Sequence, residues 1–297
     1  MNILSLFDGI GGAKVALDNL GKQYTNYYSS EINKFAIQVL NKNHTNIIHL
    51  GDVYNIQGSS LPKIDLLIGG SPCQDLAKAG KRAGLYGGRS LLYFEYRRLL
   101  DECKPKYFLL ENVGSMSNYT KETISTDLGI QPIMIDSKWF SAQTRKRYYW
   151  TNIHVPKNPS PYADLRVMDI IDFSVPFTND LFDQSISNII VSSVNMNILK
   201  PNKQVGIKAR PGRKPYPFFP DERIFSIYGK ALALTTSYGQ TPWYEYNFKY
   251  RKLTALEAER LQTFPDNYTD GLSLSQRFKL LGNSFTVKVI EEILKGI

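Results

Sequence analysis

One thiol carries the chemistry that this sequence can do near neutral pH. Cys73 closes the run Ile64-Asp65-Leu66-Leu67-Ile68-Gly69-Gly70-Ser71-Pro72-Cys73-Gln74, in which an apolar stretch gives way to two glycines. Such a run predicts a buried strand, and the glycines let the backbone turn sharply and approach a ligand closely. The thiol is therefore expected at the mouth of a sheet, as a candidate nucleophile. A cysteine by itself is more often a small buried apolar group, so its surroundings decide. Glu111 ends a second apolar run, Tyr107 to Leu110, and the two strand ends are expected to be neighbours. A carboxyl group in a partly desolvated site has its pKa raised and can donate a proton or a hydrogen bond. Ser141 to Trp150 alternates cations with other residues, which predicts a strand with Gln143, Arg145 and Arg147 on one face. Two arginines beside a pocket would hold a carbonyl oxygen and a phosphate, although a solvated edge strand fits the same pattern.

The elements that must position these groups alternate between strand and helix. A short apolar strand over residues 3 to 7 runs into Phe7-Asp8-Gly9-Ile10-Gly11-Gly12, followed by an amphipathic segment from Ala13 to Leu20. Strand, glycine turn and helix in that order make a nucleotide-type cradle. Its spacing matches neither GxGxxG nor a P-loop with its lysine, which argues against phosphoryl transfer. A second strand, Tyr27 to Ser30, ends in Glu31, where a carboxylate can accept hydrogen bonds from ribose hydroxyls. A helix from Asn33 to Asn41 and a third strand from Ile47 to Leu50 lead to Gly51-Asp52-Val53, whose carboxylate could accept from an adenine amino group. Each carboxylate alone would pass for a helix cap or a surface charge; several strand ends on one sheet edge are harder to dismiss. Residues 75 to 89, glycine-bearing and cationic through Lys78, Lys81, Arg82 and Arg89, suit a lid that closes on a polyanion. A helix from Leu91 to Asp101 and a strand from Pro132 to Asp136 complete this part.

From about Pro156 to Tyr250 prolines multiply and periodic stretches become short. The expected organisation is residues 1–155 as a catalytic and cofactor-binding domain, 156–250 as a small loop-rich domain, and 251–297 as helices returning to the first. In the middle region Arg210, Arg213, Thr235, Thr236 and Ser237 supply cations and hydroxyls suited to phosphates and base edges. A capped helix spans Thr254 to Leu261, and a terminal helix ends at Leu294. The chain of 297 residues has a net charge of +9 and 19 tyrosines, a balance that favours a polyanionic partner. Its 2 cysteines form no disulfide framework and no CxxC metal pattern. The first residues lack a basic region and no stretch is apolar enough to cross a bilayer, so a cytoplasmic protein is expected.

Together these segments resemble the DNA (cytosine-5) methyltransferase family over nearly the whole chain. The collinear matches are Phe7 to Gly12, Glu31, Gly51-Asp52, Pro72-Cys73-Gln74, Glu111-Asn112-Val113, Gln143 to Arg147, Leu253 to Phe264 and Gly282-Asn283-Ser284. The resemblance implies an α/β fold: a Rossmann-like, S-adenosylmethionine-dependent methyltransferase sheet with helices on both faces, plus a target recognition domain. It implies that Cys73 adds to carbon 6 of a flipped-out cytosine while Glu111 engages N3 and Arg145 and Arg147 hold the base. Carbon 5, so activated, takes the methyl group; water removes its proton and the thiol leaves. The matching cofactor positions are Phe7, Asp8, Gly9, Ile10, Gly11, Glu31, Asp52, Val53, Pro72, Leu92 and Asn283. DNA contacts are expected from Gln74, Gln143, the lid cations and the middle-domain residues named above.

Double-stranded DNA is the implied partner, with a cognate restriction endonuclease, a monomeric state and association with the nucleoid of a bacterial or phage-infected cell as further expectations. The segments Gly84-Leu85-Tyr86 and Met134 to Lys138 look like the vertebrate de novo branch, whereas the compact length looks like a bacterial or phage modification enzyme. One departure is Ala233-Leu234 where the family has Thr-Leu, with Thr235 or Thr236 expected to substitute. The alternatives are a transfer-RNA cytosine methyltransferase, whose Cys-Phe-Thr signature is not found, and a catalytically silent DNA-binding homologue.

Overall fold

The structure is a computed structural model that describes residues 1–71, 91–156, 164–178, 204–207 and 223–297, with backbone alone at 91 and 204–207. It divides into two compact units, one comprising Met1–Asp136, Lys146–Ser160 and Val287–Ile297, the other Ser137–Arg145 and Pro161–Thr286.

The first unit is built on a seven-stranded sheet. Its strands are β1 (Asn2–Leu6), β2 (Asn26–Ser30), β3 (Ile47–His49), β4 (Leu66–Gly69), β5 (Tyr107–Val113), β6 (Ile133–Asp136) and β7 (Lys146–Thr151), in the order β3-β2-β1-β4-β5-β7-β6. The first five pair in parallel, and β7 runs antiparallel to both β5 and β6. Every residue of β4 is buried, as an interior parallel strand covered on both faces requires. At Gly69 an added Cβ would lie 2.9 Å from the Leu6 carbonyl oxygen, so glycine is the residue that allows β1 and β4 to end side by side. The helices are α1 (Gly12–Asn19), α2 (Lys34–Asn43), α3 (Leu91–Cys103) and α4 (Asn118–Leu128). Tyr96, Leu99 and Ile124 from these helices pack with Leu4, Leu67 and Trp150 of the sheet in one apolar cluster.

The second unit holds a four-stranded sheet, ordered β11-β10-β9-β8, from β8 (Gln204–Ile207), β9 (Arg223–Ser226), β10 (Trp243–Tyr246) and β11 (Lys249–Lys252). Helices α5 (Ala255–Leu261) and α6 (Leu274–Asn283) come next, both started by reciprocal capping boxes, Thr254 with Glu257 and Ser273 with Gln276. The final helix, α7 (Val287–Leu294), belongs to the first unit and packs on α1, burying Val287, Val289, Ile290, Ile293 and Leu294.

Several expectations are corrected. The strand expected from residue 141 begins only at Lys146, and the boundary between the units falls at that point. Residues 251–286 go with the second unit; of the expected returning segment, only Val287–Ile297 is part of the first. Leu281 to Asn283 form the last turn of α6, a helix for which the sequence had given no expectation.

Candidate active site

The glycine turn after β1 follows an unusual backbone path. Phe7, Gly9 and Gly11 all have left-handed φ values, of 54°, 58° and 77°. That region is natural for glycine but strained for a bulky residue such as Phe7, and strain of this kind collects at ligand sites. The turn is pinned from β2: Glu31 accepts hydrogen bonds from the Gly9 amide (2.8 Å) and from the amides of Ile32 (2.8 Å) and Asn33 (2.7 Å). The carboxylate is thus held at the carboxyl end of a parallel strand, beside the cradle, with acceptor capacity left over. Ile32, missed in the sequence, stands beside it and is 72% exposed. The signal was available: an apolar side chain directly after a strand-end carboxylate has no core to enter. Asp52 caps the short turn Val53–Asn55 through the Tyr54 amide (3.2 Å). Ile10 and Val53 are buried, and Leu92 packs at the margin of the core.

Asp8 departs from expectation. Its carboxylate turns inward, 4% exposed, and accepts from the hydroxyls of Ser5 (2.6 Å), Tyr27 (2.8 Å) and Ser29 (2.7 Å). Burial pushes its pKa up to about 6 against the pull of these hydroxyls, with the nearby Glu31 charge adding to the rise. Its side chain fastens the cradle to the sheet from beneath and does not reach toward a ligand.

The second cluster lies where β5 ends. Glu111 pairs with Tyr149, and Val113 with Arg147, in the antiparallel β5–β7 register. Glu111 and Arg147 are therefore diagonal neighbours on one face, and Arg147 Nε meets Glu111 Oε1 at 3.0 Å. Asn112, facing the other way, is buried and donates to the carbonyl (3.4 Å) and hydroxyl (3.3 Å) oxygens of Ser71, just past the end of β4. The segment leading to Cys73 is thereby tied to the residue next to Glu111. Cys73 itself, with Pro72, Gln74, Lys78, Lys81, Arg82, Arg89, Arg210 and Arg213, lies outside the described residues.

Gln143 and Arg145 do not share a face with Arg147, because the strand starts after them. Gln143 is fully buried; its amide donates to the Leu261 carbonyl (2.6 Å) and Gln262 Oε1 (3.0 Å), and its oxygen accepts from the Leu234 amide (3.1 Å). Arg145, 4% exposed, donates to the carbonyls of Leu234 (3.2 Å), Gly282 (2.9 Å) and Ser284 (3.1 Å). The DNA contact expected of Gln143 and the base contact expected of Arg145 are corrected accordingly: both side chains are spent on the interior of the second unit. Leu234, in the position of the departure, is what they hold. Thr235 donates through its hydroxyl to the Ser237 carbonyl (3.0 Å), whereas Thr236 is exposed. Asn283, exposed at the end of α6, belongs to this unit and not to that of the cradle.

A family model for C-5 cytosine-specific DNA methylase matches residues 1–297. The chain belongs to that family. It is 27% identical over 319 residues to the type II methyltransferase M.HhaI of Haemophilus parahaemolyticus, across 100% of this chain and 94% of that protein. It is 30% identical over 301 residues to the type II methyltransferase M1.ScrFI of Lactococcus lactis subsp. cremoris, across 98% of this chain and 76% of the relative. Its fold is similar to that of the S. pombe Dnmt2 methyltransferase, with a TM-score of 0.68, 18% identity and coverage of 99% and 97% of the two chains.

As a DNA (cytosine-5) methylase the protein transfers a methyl group from S-adenosylmethionine to cytosine in double-stranded DNA. The cradle fits that donor: Phe7 and Gly9 shape a strained turn, and Glu31 is fixed by three backbone amides where a ribose diol needs an acceptor. Among the described residues no helix is long and apolar enough to cross a membrane, and no group of three or more His, Cys, Asp or Glu could hold a metal ion.

Proposed function

We propose that this methylase modifies cytosine within one short duplex sequence, with Cys73 as nucleophile and Glu111 and Arg147 as its partners on the ring. The observation that carries this reading is the Glu111–Arg147 pair at the end of β5, next to the Asn112 that holds Ser71. Carbon 5 of cytosine is too poor a nucleophile to be methylated directly, so the Cys73 thiolate adds to carbon 6 and pushes electron density onto carbon 5. Glu111 donates a hydrogen bond or proton at N3, which stabilises the adduct, and Arg147 orients Glu111 and the base. When bound, S-adenosylmethionine supplies an electrophilic methyl group; Glu31 holds its ribose and Ile32 offers an apolar face to its adenine. A base inside a duplex is out of reach of these groups, so the target is extruded. Arg145 and Gln143 act one step back, as positioning residues for Leu234 and the residues after it.

Thr235, Thr236 and Ser237 contact DNA in this reading. The protein acts as a monomer in the cytoplasm, on nucleoid DNA, and a cognate restriction endonuclease accompanies it. Incubation with methyl-labelled S-adenosylmethionine is the test: duplex DNA gains label, transfer RNA does not, and Cys73→Ala loses transfer while still binding cofactor. Label on transfer RNA alone, or continued transfer by Cys73→Ala, overturns the reading.

A further inference from the structure

The loop from Leu234 to Thr241 is clamped from two directions. At its start, Leu234 is gripped by Gln143 and Arg145, and Thr235 lies so close to α6 that a Cβ on Gly282 would sit 2.4 Å from its carbonyl oxygen. At its far side stands Lys252, a residue to which no role in the reaction has been given. Lys252 is the register partner of Trp243 across the β10–β11 hairpin. Its ammonium donates to the carbonyls of Tyr238 (3.3 Å) and Gly239 (3.0 Å), and lies 5.2 Å from the Tyr238 ring centroid and 5.6 Å from that of Trp243. The two carbonyls belong to the short 3-10 turn Tyr238–Gln240, and two aromatic faces attract the same charge. Held this way, the loop exposes Thr236, Gly239 and Gln240.

We propose that Lys252 is a positioning residue for base selection: it fixes the 238–240 turn so that Thr236 and Gln240 present a hydroxyl and an amide to the base edges of the target duplex. The inference rests on the reading that this loop contacts DNA. A compact ammonium with three donors suits two converging carbonyls better than a planar guanidinium does. Lys252 therefore acts through the loop backbone and not on a phosphate.

The test uses the whole chain and a library of duplexes randomised around a central cytosine, read by bisulfite sequencing after methylation. Lys252→Met, which keeps the packing and removes the donors, is expected to lower discrimination against singly substituted sites about ten-fold, the scale of one lost base-pair preference. Lys252→Arg is expected to keep part of that preference, and Gln240→Ala to relax one position only. Cofactor affinity and the salt dependence of DNA binding should stay unchanged, because no phosphate contact is removed. A Lys252→Met protein that does not fold leaves Lys252→Gln to carry the same comparison. The proposal is overturned if the Met or Gln variant keeps the wild-type sequence preference, or if its salt slope falls by about one phosphate contact. Wild-type protein that methylates no cytosine in the library would instead overturn the methyltransferase reading itself.

Discussion

The two units keep their shape by different means. In the first, the sheet is packed through apolar side chains: β4 is buried from end to end, and Leu4, Leu67, Leu99 and Trp150 meet in one cluster. Its deepest carboxylate, Asp8, is met by three hydroxyls. In the second unit the deepest side chains include Glu257, Glu259, Gln143, Gln262 and Thr269, all 0% exposed. Glu257 takes two hydrogen bonds from Arg251 (2.6 and 2.7 Å), one from the Thr254 amide (2.7 Å) and one from the Asp172 amide (2.8 Å). Gln262 donates to the Leu281 carbonyl (2.7 Å) and accepts from Gln143 (3.0 Å) and Thr286 (2.8 Å). Apolar burial is non-directional and tolerates repacking, whereas a satisfied polar network has one good geometry. The difference teaches how each kind of packing acts: apolar burial makes the sheet stable, whereas the polar network around Gln143 and Arg145 fixes where the 234–241 loop begins.

The sharpest way to break this comparison is to remove one member of a buried pair. Glu257→Leu leaves the Arg251 guanidinium buried without its carboxylate and should cost about 3–5 kcal/mol in urea unfolding. Replacing both, as Arg251→Met with Glu257→Leu, should recover much of that loss; a double variant as unstable as the single would show that the pair is not what holds the unit. Next comes Asp8, whose folded pKa of about 6 stands above its ordinary 3.8. The folded state then binds the extra proton between those values, so the contribution of Asp8 to stability is fully present below about pH 4 and is lost as pH rises through about 6, by at most about 3 kcal/mol. Asp8→Asn should flatten that part of the stability profile, and an unchanged slope would remove Asp8 as its source.

A smaller effect is expected at Gly282. Gly282→Ala forces a methyl group against the Thr235 backbone, and overpacking of this kind costs about 1–3 kcal/mol. The same variant should weaken site discrimination by methylation assay more than it weakens cofactor binding by calorimetry. Smallest is a gain at the tip of the β10–β11 hairpin. Asn247 and Phe248 both have positive φ, 50° and 62°, and Phe248 is 80% exposed. Phe248→Gly should raise stability by about 1 kcal/mol, since glycine takes the left-handed conformation without penalty. A loss of stability there would mean that the ring packs in a way its exposure does not suggest.

Much of the first unit was legible in the chain. The short runs before Gly9, Glu31, Gly69 and Glu111 marked strands and the edge where they finish, and β4 among them is continuously apolar, as a strand buried on both faces must be. The capping box at Thr254 was equally plain. Other elements hid. Strands β8 to β11 are four residues each, and β9 to β11 mix charges with aromatics, too short for a period to show. Helix α4 had its Ser117 cap and Gly129 terminator, yet its polar surface masked them. Helix α6 ends in Gly282-Asn283, two residues of low helix propensity that hide its last turn.

Sequence alone determined the kind of chemistry: the thiol, the strand-end carboxylates and the cradle follow from residue types and local spacing, which short-range sterics and burial dictate. Tertiary structure alone decided which of two similar side chains stands beside Glu111. Arg145 and Arg147 stand two positions apart, yet one meets Glu111 and the other bonds to Gly282, 137 positions away. That choice depends on where a strand begins and on which distant carbonyls need a donor, and neither is written in the local sequence.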